Sequence, residues 1–260
     1  MSVNVTTMRA SDGSVVKLEC HDALPSTSIL AKEYAKRGYP DRYVVFASGR
    51  KKLDPEGRFR GEIERGVYMS MILRPSIFPS QAALISSLSA VAMTTALLEH
   101  TPAKLGIGWV SKIYCNGKLI GDCTIEGKLD NFTSYEYITV TFSATLPKDD
   151  FPPRITDLIR KVFESENTSV PIIIAKNILN KFFTYYQNMK NHTKFMDEYR
   201  KLFILRGHKV RYIRDGKKET CKVLGVDDDT CALMVEDKSK KVVLISTPNK
   251  VIIPKKIPIK

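Results

Sequence analysis

Past Arg206-Gly207 the residue pattern changes period, and that change limits what this chain can fold into. Before it, long apolar stretches at helical spacing alternate with strand-like runs; after it come only short alternating strands over 208–213, 220–226, 231–236, 241–246 and 250–253. Turn residues at Asp215-Gly216 and Asp227–Asp229 separate them. Short strands with such punctuation read as a small β-barrel. The expectation is an α+β unit over 1–206 followed by a C-terminal barrel over 207–260.

Within the first unit, residues 15–19 read as a strand. Leu24-Pro25-Ser26-Thr27-Ser28 then precedes an apolar spacing over 29–35 that suits a helix with a hydroxyl N-cap. Residues 43–47 and 66–73 are further strands, with a polar loop expected over 48–65. The stretch 79–98, rich in alanine and leucine, has apolar residues on several sides and predicts a buried central helix. Strands over 105–110 and 119–125 flank Asn116-Gly117, a dipeptide suited to the positive φ angles of a tight hairpin. Residues 137–145 alternate as a half-buried strand does, and helices are expected over 155–164 and, in two pieces, over 172–205.

A chain of 260 residues has room for one substantial domain and a smaller one. No run approaches the roughly 18–20 apolar residues of a membrane span, and the start MSVNVTTMRASDGS lacks the features of a signal or transit peptide. Five cysteines form no C-x-x-C pair and read as reduced thiols, with no metal site; the expectation is a cytoplasmic protein without a membrane partner. A formal charge of +13 attracts an anionic partner. Few aromatics interleave the basic runs at 50–52, 217–218, 238–241 and 255–260, which disfavours nucleic acid.

The order of elements resembles the catalytic and C-terminal domains of biotin protein ligases: a mixed sheet with helices on one side, of the class II synthetase-like type, then a small β-barrel. Several segments carry the resemblance over nearly the whole chain. Leu24-Pro25-Ser26-Thr27-Ser28 with Ala31-Lys32 is similar to the family's D-S-T-N-x-x-A-K, and the run from Gly66 to Pro75 to its G-L-Y-x-S-x-x-L-R-P. The run from Tyr199 to Val210 resembles the barrel entry, and Val223–Asp227 the barrel's G-x-x-x-G-I-D. Repressor-type members carry a winged helix ahead of the ligase domain, for which this chain has no room, so a DNA-binding regulator is not expected.

The resemblance implies activation of biotin by ATP, with Mg2+ as counter-ion, and transfer to a lysine of a carrier domain. Lipoate is the second acid considered, and pairing with a second copy of the chain is left open. Ser26 and Thr27 would bind the ureido ring of biotin, although N-capping explains them as well. Lys118-Leu119-Ile120-Gly121 fits K-[LV]-x-G, which makes Lys118 the catalytic lysine and Gly121 a biotin contact; an alignment shifted by one puts Leu119 in that place instead.

Three motifs depart from the family. Gly57-Arg58-Phe59-Arg60-Gly61 stands where G-R-G-R would close over the adenylate, so Gly57, Arg58 and Arg60 are the candidate ATP contacts, with a solvated basic loop the alternative. Gly108-Trp109-Val110-Ser111-Lys112 replaces K-W-x-N-D, leaving Trp109 to cover a ring or to serve the core. Val140-Thr141-Phe142-Ser143-Ala144 replaces the glycines of G-I-G-x-N, which would narrow the ligand groove. Two functions follow from this pattern: a divergent ligase, or a non-catalytic homologue that binds or scaffolds.

Overall fold

The structure, a computed structural model, describes residues 4–99, 103–130, 134–145, 169–189, 191, 193–214 and 216–259. The helix expected over 155–164 and Asp215 of the expected turn lie outside the described residues. Eight strands form the main sheet: β1 (Asn4–Arg9), β2 (Val15–His21), β3 (Tyr43–Leu53), β4 (Phe59–Leu73), β5 (Leu105–Gly108), β6 (Lys112–Cys115), β7 (Lys118–Asp130) and β8 (Ser134–Thr145). Their order is β1-β2-β3-β4-β8-β7-β6-β5. Only β2 and β3 are parallel among these neighbours, so the sheet is mixed.

The four helices among the described residues are α1 (Thr27–Lys36), α2 (Ala82–Leu98), α3 (Ser169–Tyr186) and α4 (Thr193–Leu202). Strand residues alternate between faces, and the sheet uses both. Val44, Met69, Met71, Val140 and Phe142 belong to the main core with α2, α3 and α4. Tyr43, Val45, Ile72 and Tyr137 pack on the opposite face against Ala31 and Ala35 of α1. Helices therefore cover both faces, where the resemblance led us to expect one; the short stripe of small residues on α1 is what lets that helix lie close to the second face.

α2 is buried on most of its circumference: Leu84, Ile85, Leu88, Val91, Met93 and Ala96 are each 6% exposed or less. Its buried hydroxyls bond back along the helix, Ser89 Oγ donating to Ile85 O at 2.7 Å and Ser87 Oγ to Leu84 O at 3.0 Å.

The expected polar loop over 48–65 is instead a long hairpin. β3 continues to Leu53 and β4 starts at Phe59, with Arg50 opposite Glu64 and Leu53 opposite Phe59. Pairs of opposite charge across the ribbon, Arg50 with Glu64 and Lys52 with Glu62, replace the apolar alternation that would have marked it. β1 and β6 also lie outside the strands expected from sequence.

C-terminal strands β9 (Lys209–Arg214), β10 (Lys217–Val226), β11 (Leu233–Glu236), β12 (Val242–Ile245) and β13 (Val251–Ile252) form a second, antiparallel sheet in the order β12-β11-β10-β9-β13. Its buried residues Val210, Val223, Leu233 and Val235 belong to the same apolar cluster as α2 and the main sheet. Among the described residues no helix is long and apolar enough to cross a membrane.

Candidate functional site

On the α1 face, one row of cross-strand partners runs Ala47, Tyr68, Ser143, Asp122, Lys112 from β3 to β6. The next row holds Ser70, Thr141 and Thr124. The same strands present Val67, Met69, Phe142 and Cys123 to the core behind. A polar patch at this level of the sheet, beyond the reach of α1's apolar stripe, is the floor of a groove.

The groove has two lobes. The first, about 220 Å³, is lined by Leu24 to Ser28 at the start of α1, by Arg50 and Tyr68, and by Asp122, Thr141, Phe142 and Ser143. The second, about 520 Å³, runs along Trp109–Lys112, Tyr114, Leu119 and Asp122–Ile125 to Pro248 and Val251–Ile253 of the C-terminal region. Asp122 borders both and marks the waist.

Hydroxyls dominate the first lobe. Thr27 Oγ1 lies 2.8 Å from Ser70 Oγ, which lies 2.8 Å from Thr141 Oγ1. Ser26 caps α1: its Oγ accepts from Ile29 N at 3.3 Å. Thr141 and Ser143, in the segment that the resemblance matches to the family's glycines, stand in the wall.

Charges here come in pairs. Lys112 Nζ lies 2.6 Å from Asp122 Oδ2 at the waist. Arg50 Nε donates to Glu64 Oε2 at 2.9 Å, and its guanidinium sits 5.1 Å from the centre of the Tyr68 ring. Burial works against the Arg50 charge, but the bond to Glu64 outweighs it and the pKa is raised. Burial, aided by the Glu64 carboxylate, pushes the Tyr68 hydroxyl up to about 12, so it stays protonated and able to donate.

The fold brings together Ser26 and Thr27 in the first lobe and Trp109 in the second. Trp109 is only 2% exposed, and its indole Nε1 donates to Cys231 O at 2.7 Å, so most of the ring serves the core. Gly121 lies against the β8 backbone, where an added Cβ would collide with Ser143 O. Close strand approach explains this glycine.

Lys118 is the first residue of β7, exposed, with its backbone bridged to Lys256. Ile113 pairs with Gly121 and Tyr114 with Leu119, which leaves Ile120 as an extra residue. That bulge puts Leu119, not Lys118, on the groove wall beside Asp122. Gly57, Arg58 and Arg60 sit at the exposed tip of the β3–β4 hairpin and are not among the residues lining the two lobes. There Arg58 bonds to Asp54 Oδ2 at 2.9 Å, and Gly57, at φ 81°, makes the turn. The Asp227–Asp229 segment is a turn as expected, with Asp227 accepting from the N–H and hydroxyl of Thr230.

Arg50, Tyr68 and Asp122 went unnoticed as site residues. Only Lys112 carried a signal, as a base standing where the family has an acid.

No protein-family model matches this sequence. Among solved structures, the chain shares its fold with the biotin protein ligase from Aquifex aeolicus in complex with biotin and ATP: TM-score 0.62, 16% identity, covering 90% of this chain and 97% of that one. A biotin protein ligase-like protein of unknown function from Silicibacter sp. TM1040 gives TM-score 0.65 at 17% identity, over 89% of this chain and 94% of the other. The sequence itself is 27% identical over 179 residues to the bifunctional ligase/repressor BirA of Bacillus subtilis strain 168, covering 66% of this chain and 54% of that protein.

The chain therefore has the fold of biotin protein ligases and is similar in sequence to BirA. BirA of Bacillus spizizenii is 25% identical over 178 residues. The chain spans about half the length of the curated relatives it matches, 54% in each case.

Proposed function

We propose that the groove binds a biotin-like carboxylic acid, with its ring in the hydroxyl-lined first lobe, activates it with ATP, and passes it to a lysine of a carrier domain. The observation that carries this reading is the two-lobed groove itself. A polar pocket at the N-terminus of α1 opens, through a waist bearing Lys112 and Asp122, into a larger lobe beside Trp109. Together the lobes fall in the range of about 300–1,000 Å³ typical of small-molecule sites.

The relatives support the choice of ligand, because the Aquifex aeolicus ligase of the same fold is in complex with biotin and ATP. In this reading Ser26 and the Thr27–Ser70–Thr141 hydroxyls meet the ring, and the nucleotide, with Mg2+ on its phosphates, takes the second lobe. The partner is an acidic carrier domain, matched to the +13 charge of the chain. A cytoplasmic setting goes with ATP use and with five free thiols.

Calorimetric titration with biotin, lipoate and ATP, separately and together, tests the proposal. A ligand of the folded state at a hundred times its dissociation constant raises stability by about 2.7 kcal/mol, which a thermal shift also reads. We expect biotin to bind and ATP to bind more tightly in its presence. A flat response to every combination would favour the second reading, a non-catalytic homologue. One observation speaks for that alternative: the arginines expected at the phosphates lie at a hairpin tip, where Arg58 is engaged by Asp54 and Glu56.

A further inference from the structure

We infer that Lys112, rather than Lys118, is the cation that meets the carboxylate of the bound acid, and that Asp122 holds Lys112 until the ligand's carboxylate takes its place. This rests on the reading of the groove as a carboxylic-acid site. Three cations compete for the role. Lys118 is turned off the wall by the bulge at Ile120, and the β6–β7 turn next to it is pinned under the C-terminal segment: Ile257 N–H donates to Gly117 O at 2.8 Å and Leu119 N–H to Lys255 O at 3.1 Å. Arg50 borders the first lobe, but its guanidinium is held by Glu64 and faces Tyr68.

Lys112 stands at the waist. It pairs across the β6–β7 ladder with Asp122, so both side chains leave the sheet on the same side. Their side chains are 42% and 33% exposed, which leaves the ion pair within reach of a ligand. An acid whose ring fills the first lobe brings its carboxylate to this point, where an ammonium offers a charge-assisted hydrogen bond. Two carboxylates cannot share the waist without repulsion. Asp122 must therefore yield, and it acts as an internal competitor that stands in for the ligand's anion in the free protein.

The test is a lysine-labelling footprint on the full chain. Acetic anhydride labelling read by mass spectrometry is run with biotin, lipoate and octanoate, and with their carboxamides. We expect at least one acid to protect Lys112 about fivefold or more, its amide not to protect, and Lys118 to be unaffected. In calorimetry Lys112→Met should abolish the preference for that acid over its amide, whereas Lys118→Met keeps it. Asp122→Asn should tighten the acid about tenfold and leave the amide unchanged, the sign expected when a like charge is removed.

Equal labelling of Lys112 with every acid at millimolar concentration overturns the assignment, as does protection that falls on Lys118. If octanoate or lipoate protects Lys112 where biotin does not, and no pyrophosphate exchange accompanies it, the Lys112 assignment stands and the biotin ligase reading falls.

Discussion

Ser26 has two jobs that a pair of substitutions separates. As N-cap of α1 it accepts from Ile29 N, and it lines the first lobe, where we propose that it meets the ligand. Ser26→Ala should cost about 1 kcal/mol of stability, whereas Ser26→Gly should cost only about a few tenths. Both should weaken biotin binding to a similar degree, since both remove the hydroxyl. Chemical denaturation and calorimetry on the two variants check this; a binding loss that tracks the stability loss would reduce Ser26 to a cap. A different residue sets a pH response. Burial opposes ionisation of Asp12, but hydrogen bonds from Ser14 and Arg42 outweigh it and hold the carboxyl below 3.8. The stability it supplies is present above the unfolded-state value and disappears as pH falls through the lower folded one. Asp12→Asn should lower stability at neutral pH, where that contribution is present, and flatten the acid limb of a stability–pH profile measured by chemical denaturation.

At the level of elements, α1, the buried α2 and the C-terminal strands were legible because their apolar periods are regular and their ends carry hydroxyl or glycine signals. The β3–β4 hairpin was not, because charged residues dominate its outer half and it coheres through Arg50–Glu64 and Lys52–Glu62, with Leu53, Phe59 and Ile63 left partly exposed. Read without cross-strand partners, such a segment looks like a loop. Between Lys118 and the shifted alternative Leu119 the motif left both open, since one extra residue at Ile120 sets which side chain faces the groove, and spacing in a motif does not record a bulge. The hairpin yields a prediction of its own. Replacing the turn 54–58 with Asn-Gly should leave thermal stability and biotin affinity within about twofold, because the tip lies outside both lobes and Asn-Gly suits a tight hairpin. A loss of ATP affinity of tenfold or more in that variant would show that the tip closes over the nucleotide.

The whole molecule is held by links that cross the sequence boundary at 206 and 207. Trp109 Nε1 donates to Cys231 O and Tyr114 hydroxyl to Pro254 O, each at 2.7 Å. The apolar core runs through both sheets without a break. We therefore expect the chain to unfold in one transition, and the fragment 1–206 to lack a cooperative transition of its own. Trp109→Phe keeps most of the ring and orphans the Cys231 carbonyl, at a cost of about 1–3 kcal/mol. The groove depends on the same union, because Pro248 and Val251–Ile253 form part of its second lobe. The most direct measurement of what that groove does is exchange of labelled pyrophosphate into ATP by the intact chain, with and without saturating biotin. Our account predicts exchange that requires biotin and is lost in Lys112→Met; a folded protein that exchanges nothing above the blank with biotin present would contradict it.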